Sequence, residues 1–271
     1  MIQRIIPSSG KKIPLIGLGT WQTFDVSDIY YPELTNVLNE LHTAGGKLID
    51  SSPMYGRSEK VIGDITSMMN TRDDFFYATK VWTRGKKEGI SQMQSSMQKM
   101  KRKTIDLMQI HNLTDWKIHL PVLQDWKERG IINYIGITHY TDSMHEALET
   151  IFTNEKIDFV QFNFSIDSTN AEKRLLKAAS DQGVATLINR PFGEGKLFNK
   201  VKMKELPQWS IEAGIETWSV FFLKYIISNP AVTCVIPATS DPKHAIENCK
   251  AGNGNILNEE TRKRMFDLIN G

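Results

Sequence analysis

An aspartate and a tyrosine five positions apart, Asp50 and Tyr55, stand in the stretch Lys47-Leu48-Ile49-Asp50-Ser51-Ser52-Pro53-Met54-Tyr55-Gly56. Its first half is a short apolar run of strand type and its second half is turn chemistry. The carboxylate therefore stands where a strand stops, and the tyrosine stands on the loop beyond it, facing solvent. A phenol with a reference pKa of about 10 neither gives nor takes a proton readily at neutral pH. A close positive charge favours the phenolate. Tyr55 can therefore do acid–base work only if the rest of the chain brings it a cation.

Strand-like and helix-like segments alternate along the rest of the chain. The strand candidates are 15–18, 47–49, 75–79, 105–110, 134–137, 159–164, 184–188 and 233–236. Most are spaced by the length of a βαβ unit. Residues 2–15 read as a β-hairpin turning at Gly10, which can take a positive φ. Val61, Ile62, Ile65, Met68 and Met69 mark one face of a helix over 58–69, and Met93, Met97 and Met100 mark the next. That methionine stripe reads as core packing, and the basic residues Lys99 to Lys103 that follow it read as compensation of the helix dipole. A further helix carries apolar residues at Ile211, Ile215, Trp218, Phe222 and Ile226. Eight strands alternating with eight helices argue for a single α/β domain over 1–271, a (β/α)8 TIM barrel with the first hairpin closing its floor.

The bulk properties agree. A length of 271 residues suits one such barrel, and 40% hydrophobic residues fill a large core. A net charge of +2 with 24% charged residues gives no support for nucleic-acid or membrane-surface binding. Cys234 and Cys249 have neither metal-site spacing nor a disulfide framework, so no metal is expected and a reducing, cytoplasmic compartment is. No apolar run reaches the roughly 18 residues that a membrane helix needs.

In a parallel barrel the strands end on one rim, and function sits there. Asp50 follows the second strand, Lys80 the third and His111 the fourth. These strands are neighbours, so the three side chains and Tyr55 converge. Packing does not ask for a polar group at the end of three successive apolar strands. Lys80 is the cation that Tyr55 requires, its charge lowering the tyrosine pKa. Asp50 pairs with Lys80 and orients it, and His111 is placed to hydrogen-bond a substrate oxygen. Tyr55 then gives its proton to an oxygen that gains negative charge, as a carbonyl oxygen does on accepting a hydride.

The Asp50, Tyr55, Lys80 and His111 set, in this order and spacing, resembles the catalytic tetrad of the aldo-keto reductases. The likeness runs over essentially the whole chain. Gly17-Leu18-Gly19-Thr20-Trp21 is similar to that family's first strand and loop, and Gln161-Phe162-Asn163 to the strand that holds a nicotinamide carboxamide. Ile236-Pro237 through Glu247-Asn248 is similar to the last βα unit, which holds the adenosine phosphate. The resemblance implies NADPH, in preference to NADH, with contacts from Gly19, Thr20, Thr138, His139, Gln161, Asn163 and Arg190. Phe192, Gly193, Gly195 and Leu197 would belong to a loop closing over the pyrophosphate. Thr239, Ser240, Asp241, His244, Glu247 and Asn248 would lie at the phosphate end, and Trp21 and Trp82 would wall the substrate pocket.

The residues make part of that reading independently. No Gly-x-Gly-x-x-Gly motif follows a strand, so a Rossmann site is excluded. Thr239-Ser240-Asp241-Pro242 reads as loop, N-cap and N1 proline, opening a helix over 243–250 whose free N–H groups suit an anion. Against the pattern of the family it resembles, Ala238 and His244 stand where many members carry Lys and Arg, and Asn189-Arg190 where a stacking tyrosine is common. The expected protein is a monomeric carbonyl reductase with a small-molecule substrate. Two other readings remain at this point: a cofactor-binding redox-sensing subunit, and a barrel aldolase with Lys80 as Schiff-base nucleophile.

Overall fold

The computed structural model describes all residues 1–271. Strands β1 (Gln3–Ile5) and β2 (Lys12–Pro14) form the antiparallel hairpin, whose turn carries Gly10 at φ 74°. The next eight strands are parallel and lie in sequence order: β3 (Leu18–Gly19), β4 (Leu48–Asp50), β5 (Phe76–Val81), β6 (Ile105–His111), β7 (Ile132–Thr138), β8 (Phe159–Asn163), β9 (Ala185–Asn189) and β10 (Cys234–Val235). Bridges Ile16 to Val235 and Gly19 to Ala238 bring the first and last strands together, so the sheet is a nearly closed barrel. No helix is long and apolar enough to cross a membrane.

Two apolar clusters follow from the period-2 alternation of the strands. Leu48, Ala78, Leu107, Tyr134, Phe159, Leu187 and Cys234 point into the barrel, where Ile6 and Ile13 of the hairpin join them from below. The residues between them, such as Ile49, Tyr77, Met108, Ile135 and Ile188, face outward and pack with the helices into a larger cluster of 58 residues. The hairpin thus closes the floor, as its sequence suggests.

The helices depart from eight. Besides the helix of each repeat, short ones such as Asn170–Lys173, Lys196–Val201 and Gln208–Glu212 are present. The single helix expected across Ile211 to Ile226 is two, Gln208–Glu212 and Trp218–Ile227. Gly214 at φ 78° ends the first, and the Thr217 hydroxyl caps the second by accepting from Val220 N–H. Trp218–Ile227 is buried along most of its circumference, so its apolar residues run on without a polar face to mark its start. The helix read over 58–69 stops at Thr66, which leaves Met68 74% exposed rather than in the core. In the methionine stripe Met93 and Met100 are buried and Met97 is partly so. The basic residues after that helix pair as surface charges, Lys101 with Asp64 and Arg102 with Asp73.

Phe159 is wholly buried inside the barrel, in edge contact with Tyr134 at 5.5 Å and tilted on Phe76 at 6.1 Å. Phe159→Ala is expected to cost about 3–5 kcal/mol of stability, as large-to-small changes in packed cores do. Urea unfolding measures this, and a loss below about 1 kcal/mol would mean that the floor is not packed as described.

Candidate active site

The inward alternation that builds the floor continues upward with polar residues. Two positions after Leu48 comes Asp50, two after Ala78 comes Lys80, and two after Leu107 comes Gln109, with Gln161 two after Phe159. These four make a polar layer inside the barrel. Asp50 and Lys80 therefore do not follow their strands: Asp50 is the last residue of β4 and Lys80 lies within β5. The ladder continues through them because their side chains point into the barrel and their backbones still pair, Asp50 opposite Ala78 and Lys80 opposite Gln109.

Lys80 Nζ donates to Asp50 Oδ2 at 2.6 Å and to the Ser51 carbonyl at 2.7 Å. Asp50 also accepts from Gln109 Nε2 at 2.9 Å and Gln161 Nε2 at 3.3 Å. Both ions are almost wholly buried, at 1% and 2% exposure. A buried pair is tolerable only when such further hydrogen bonds satisfy it. Gly136 makes room for one of them: a Cβ there would stand 2.7 Å from Gln109 Cγ.

Tyr55 is half-buried, held by a turn in which its N–H bonds the Ser52 carbonyl at 3.0 Å. The Lys80 ammonium lies 5.2 Å from its ring centroid. Two of the three donors of Lys80 are engaged, which leaves one for the phenol oxygen. The expectation that the cation lowers the tyrosine pKa is only half of the outcome. Burial raises it, Lys80 pulls against that and Asp50 adds to it, and the net direction is upward. Tyr55 is therefore a phenol at neutral pH, ready to donate. Burial by itself would lower the Lys80 pKa, yet Asp50 and Tyr55 carry it above its ordinary value. A lysine held charged in this way is a poor Schiff-base nucleophile, which argues against the aldolase reading.

His111 ends β6, 5% exposed, with its ring edge-on to Tyr55 at 5.8 Å. Its Nδ1 lies 2.9 Å from Ser52 Oγ. Burial first, then Lys80 and His139, push its pKa down to about 3, so the imidazole is uncharged at any physiological pH.

Above this layer opens a cavity of about 620 Å³. Asp50, Tyr55 and His111 reach its base, and Trp21, Trp82, Met54, Tyr140 and Phe198 give it apolar walls. Of the expected cofactor contacts, Gly19, Thr20, Thr138, Gln161, Arg190, Phe192 and Gly195 line it. Arg190 holds a left-handed φ of 52°, lies 4.3 Å over the Tyr140 ring and pairs with Glu194 at 2.9 Å. That ion pair ties β9 to the loop around Gly193–Gly195. Gln161 Oε1 and Asn189 Oδ1 are buried without a partner. Both residues line the cavity, so a ligand bearing paired N–H donors would satisfy them.

Other expected contacts lie elsewhere. Asn163 uses its amide on His145 at 3.0 Å, Asp142 at 2.5 Å and Ser168 at 3.2 Å. His139 lies half-buried beside the wall, stacked on Tyr140 at 5.2 Å, and its Nδ1 accepts from Tyr140 N–H. Leu197 is wholly in the core, and Gly193 is on the loop just outside the lining. Thr239, Ser240 and Asp241 precede the Pro242–Lys250 helix past the end of β10, His244 is in its first turn, and Glu247 and Asn248 are in its second half. There Asp241 is the N-cap, accepting from Lys243 N–H at 2.8 Å. Thr239 Oγ1 accepts from Asp241 N–H, and Glu247 bonds Ser219. Ser240 and His244 are exposed.

Tyr140, Phe198, Glu194 and Asn112 also line the walls, although no motif in the sequence marks them. Tyr140 is the residue after His139, so the loop beyond β7 held the signal. Asn112 was harder to foresee, since it reaches the cavity through a left-handed turn, φ 53°, immediately after β6.

The family model described as "Aldo/keto reductase family" matches residues 15–268. The uncharacterized oxidoreductase YqkF of Bacillus subtilis (strain 168) is 22% identical over 98% of this chain and 95% of its own length. The aldo-keto reductase str7 of Strobilurus tenacellus is 23% identical over 84% of this chain and 79% of its own. Among solved structures, an aldo-keto reductase from Klebsiella pneumoniae in complex with NADPH superposes with a TM-score of 0.82 at 18% identity, covering 99% of this chain and 96% of that one.

The depressed pKa of His111 makes an acid-stability prediction. The unfolded histidine takes up a proton near its ordinary value of about 6.5, while the folded one resists until about 3. Its stabilising contribution is thus complete above that ordinary value and is lost as the pH falls towards the folded one. His111→Gln should flatten the fall in urea midpoint between neutral pH and about pH 4. An unchanged slope would mean that the imidazole is not held neutral.

Proposed function

The chain belongs to the aldo/keto reductase family, and from that premise we propose that its barrel cavity reduces aldehyde or ketone carbonyls to alcohols through Tyr55, Lys80, Asp50 and His111. It is an NAD(P)H-dependent oxidoreductase, and when bound NADPH supplies the hydride. The observation that carries the residue assignment is the Lys80 ammonium, buried on Asp50 and set against the Tyr55 ring at the base of the cavity.

The residues present fit a nicotinamide. Its carboxamide offers the N–H donors that the unpartnered Gln161 Oε1 and Asn189 Oδ1 lack, and Thr138 and Gly19 stand beside them in the lining. Arg190, between Tyr140 and Trp21, supplies a planar guanidinium at the same wall. The Klebsiella pneumoniae relative, solved with NADPH, supports the phosphorylated cofactor. Its phosphate end would meet the Pro242–Lys250 helix, with Lys243 and His244 as the exposed basic side chains of its first turn.

Each side chain then has a task that its electrostatics suits. Burial keeps the Tyr55 proton in place until a carbonyl oxygen beside it gains negative charge. The proton then moves to that oxygen, and the phenolate left behind faces the Lys80 cation. Asp50 holds the ammonium charged and in position. His111, being neutral, hydrogen-bonds the substrate oxygen without introducing a competing charge. Walls of Trp21, Trp82, Met54 and Phe198 favour carbonyl compounds with an apolar body. All these groups come from one chain, so residues 1–271 act as a single domain and a monomer suffices.

Tyr55→Phe removes the proton donor while keeping the ring. Turnover of a model aromatic aldehyde should fall by about 10²–10⁴-fold, the usual contribution of a positioned acid. NADPH affinity, followed by quenching of tryptophan fluorescence, should stay within about twofold, because cofactor contacts and acid catalysis are separate contributions. Wild-type turnover in this variant would overturn the assignment. Loss of turnover together with cofactor binding would place Tyr55 in binding instead.

A further inference from the structure

We infer that Ser52 is a positioning residue: its hydroxyl hydrogen-bonds His111 Nδ1 and so fixes the imidazole with its single proton on Nε2, the edge available to the cavity. The inference rests on the reductase reading for its purpose but on local geometry for its content.

Ser52 is wholly buried, and its Oγ has two partners. Met54 N–H donates to it at 3.2 Å, and His111 Nδ1 lies 2.9 Å away. Two arrangements are open. If Nδ1 carried the proton, Ser52 would accept from two N–H groups and its own hydrogen would have no acceptor. A buried donor left without an acceptor loses the hydrogen bond that water gave it in the unfolded chain, so this arrangement is disfavoured. If Ser52 donates to Nδ1, both donors at this corner are satisfied, Met54 N–H to Ser52 and Ser52 O–H to Nδ1, and the imidazole proton stands on Nε2. The backbone supports this order, because Ser52 and Met54 lie in the same turn that sets Tyr55, the Ser52 carbonyl accepting from Tyr55 N–H. One serine thereby places the proton donor and orients the group beside it.

The tautomer matters because a neutral imidazole has one donor and one acceptor. With hydrogen on Nε2, His111 donates to a carbonyl oxygen that is gaining charge. With a bare Nε2 it would turn a lone pair on that oxygen and compete for the Tyr55 hydroxyl. The same hydrogen bond also prevents the ring from flipping, which would exchange the two nitrogens for carbons at the cavity edge.

The test reads the tautomer directly. In protein labelled with ¹⁵N-histidine, long-range proton–nitrogen spectra at neutral pH should show His111 with a protonated Nε2 and a bare Nδ1, its signals identified by their loss in His111→Gln. A protonated Nδ1 would overturn the inference, whatever the turnover. In Ser52→Ala the bare Nδ1 should lose its hydrogen-bond shift. The kcat for a model aldehyde should fall about tenfold, short of the 10²–10³ that outright loss of a donor costs. NADPH affinity and KM should stay within about twofold, as for a loss confined to the transition state. Because Ser52 acts through His111, Ser52→Ala should cost nothing further in the His111→Gln background. An equal loss in both backgrounds would make the serine merely structural. Should Ser52→Ala fail to fold, the wild-type spectrum still decides. A wild-type protein that shows the Nε2 tautomer yet reduces no carbonyl would sink the reductase reading and leave the hydrogen bond standing.

Discussion

The buried ion pair between Asp50 and Lys80 is the constraint on which the site depends. Neither ion could lie so deep alone, since desolvation of an unpaired charge costs several kcal/mol. Together they are surrounded: Ser51 gives its carbonyl to the lysine, and Gln109 and Gln161 give N–H groups to the aspartate. Removing either partner would leave the other uncompensated, typically a loss of about 3–5 kcal/mol. Four strands, β4, β5, β6 and β8, contribute to this one layer, so the barrel must be assembled before the cation can be held. Gly136 on β7 contributes by the space it leaves for Gln109.

The cation in turn divides the labour among its neighbours. It opposes, but does not overcome, the burial that keeps Tyr55 protonated. It adds to the burial that keeps His111 neutral. Burial thus keeps Tyr55 a phenol against the pull of the charge, and burial and the charge together keep His111 neutral. The two rings meet edge-on at 5.8 Å, both at the cavity.

The outer parts of the site are built differently from its base. The polar layer under the cavity is strand, paired on both sides; the walls are loop, and there the backbone adopts left-handed conformations at Gln22, Asn112, Arg190 and Glu194. Such conformations cost roughly 1–3 kcal/mol in non-glycine residues and persist where surrounding contacts hold them. For Arg190 those contacts are visible: the Tyr140 ring beneath it and Glu194 beside it. The ion pair fastens the loop to the strand end at the cavity mouth.

The eight-strand alternation, the floor hairpin, the capped helix at Asp241 and the four residues Asp50, Tyr55, Lys80 and His111 were all legible in the sequence. Each is set by local spacing: period 2 in strands, turn chemistry after them, and a parallel barrel that brings strand ends to one rim. What the sequence left unsettled were quantities that depend on surroundings. The net direction of the Tyr55 pKa required weighing burial against a cation, and only packing gives the burial. The family resemblance implies Asn163 as a cofactor contact, yet the fold supplies His145, Asp142 and Ser168 to engage its amide. The apolar residues from Ile211 to Ile226 keep a helical period across Gly214, so the break there is decided by where the chain must turn to cover the barrel. Ser52 looked like one more turn residue between Asp50 and Tyr55. Its meeting with His111 joins the turn after β4 to the end of β6, and no spacing within a strand could have announced it.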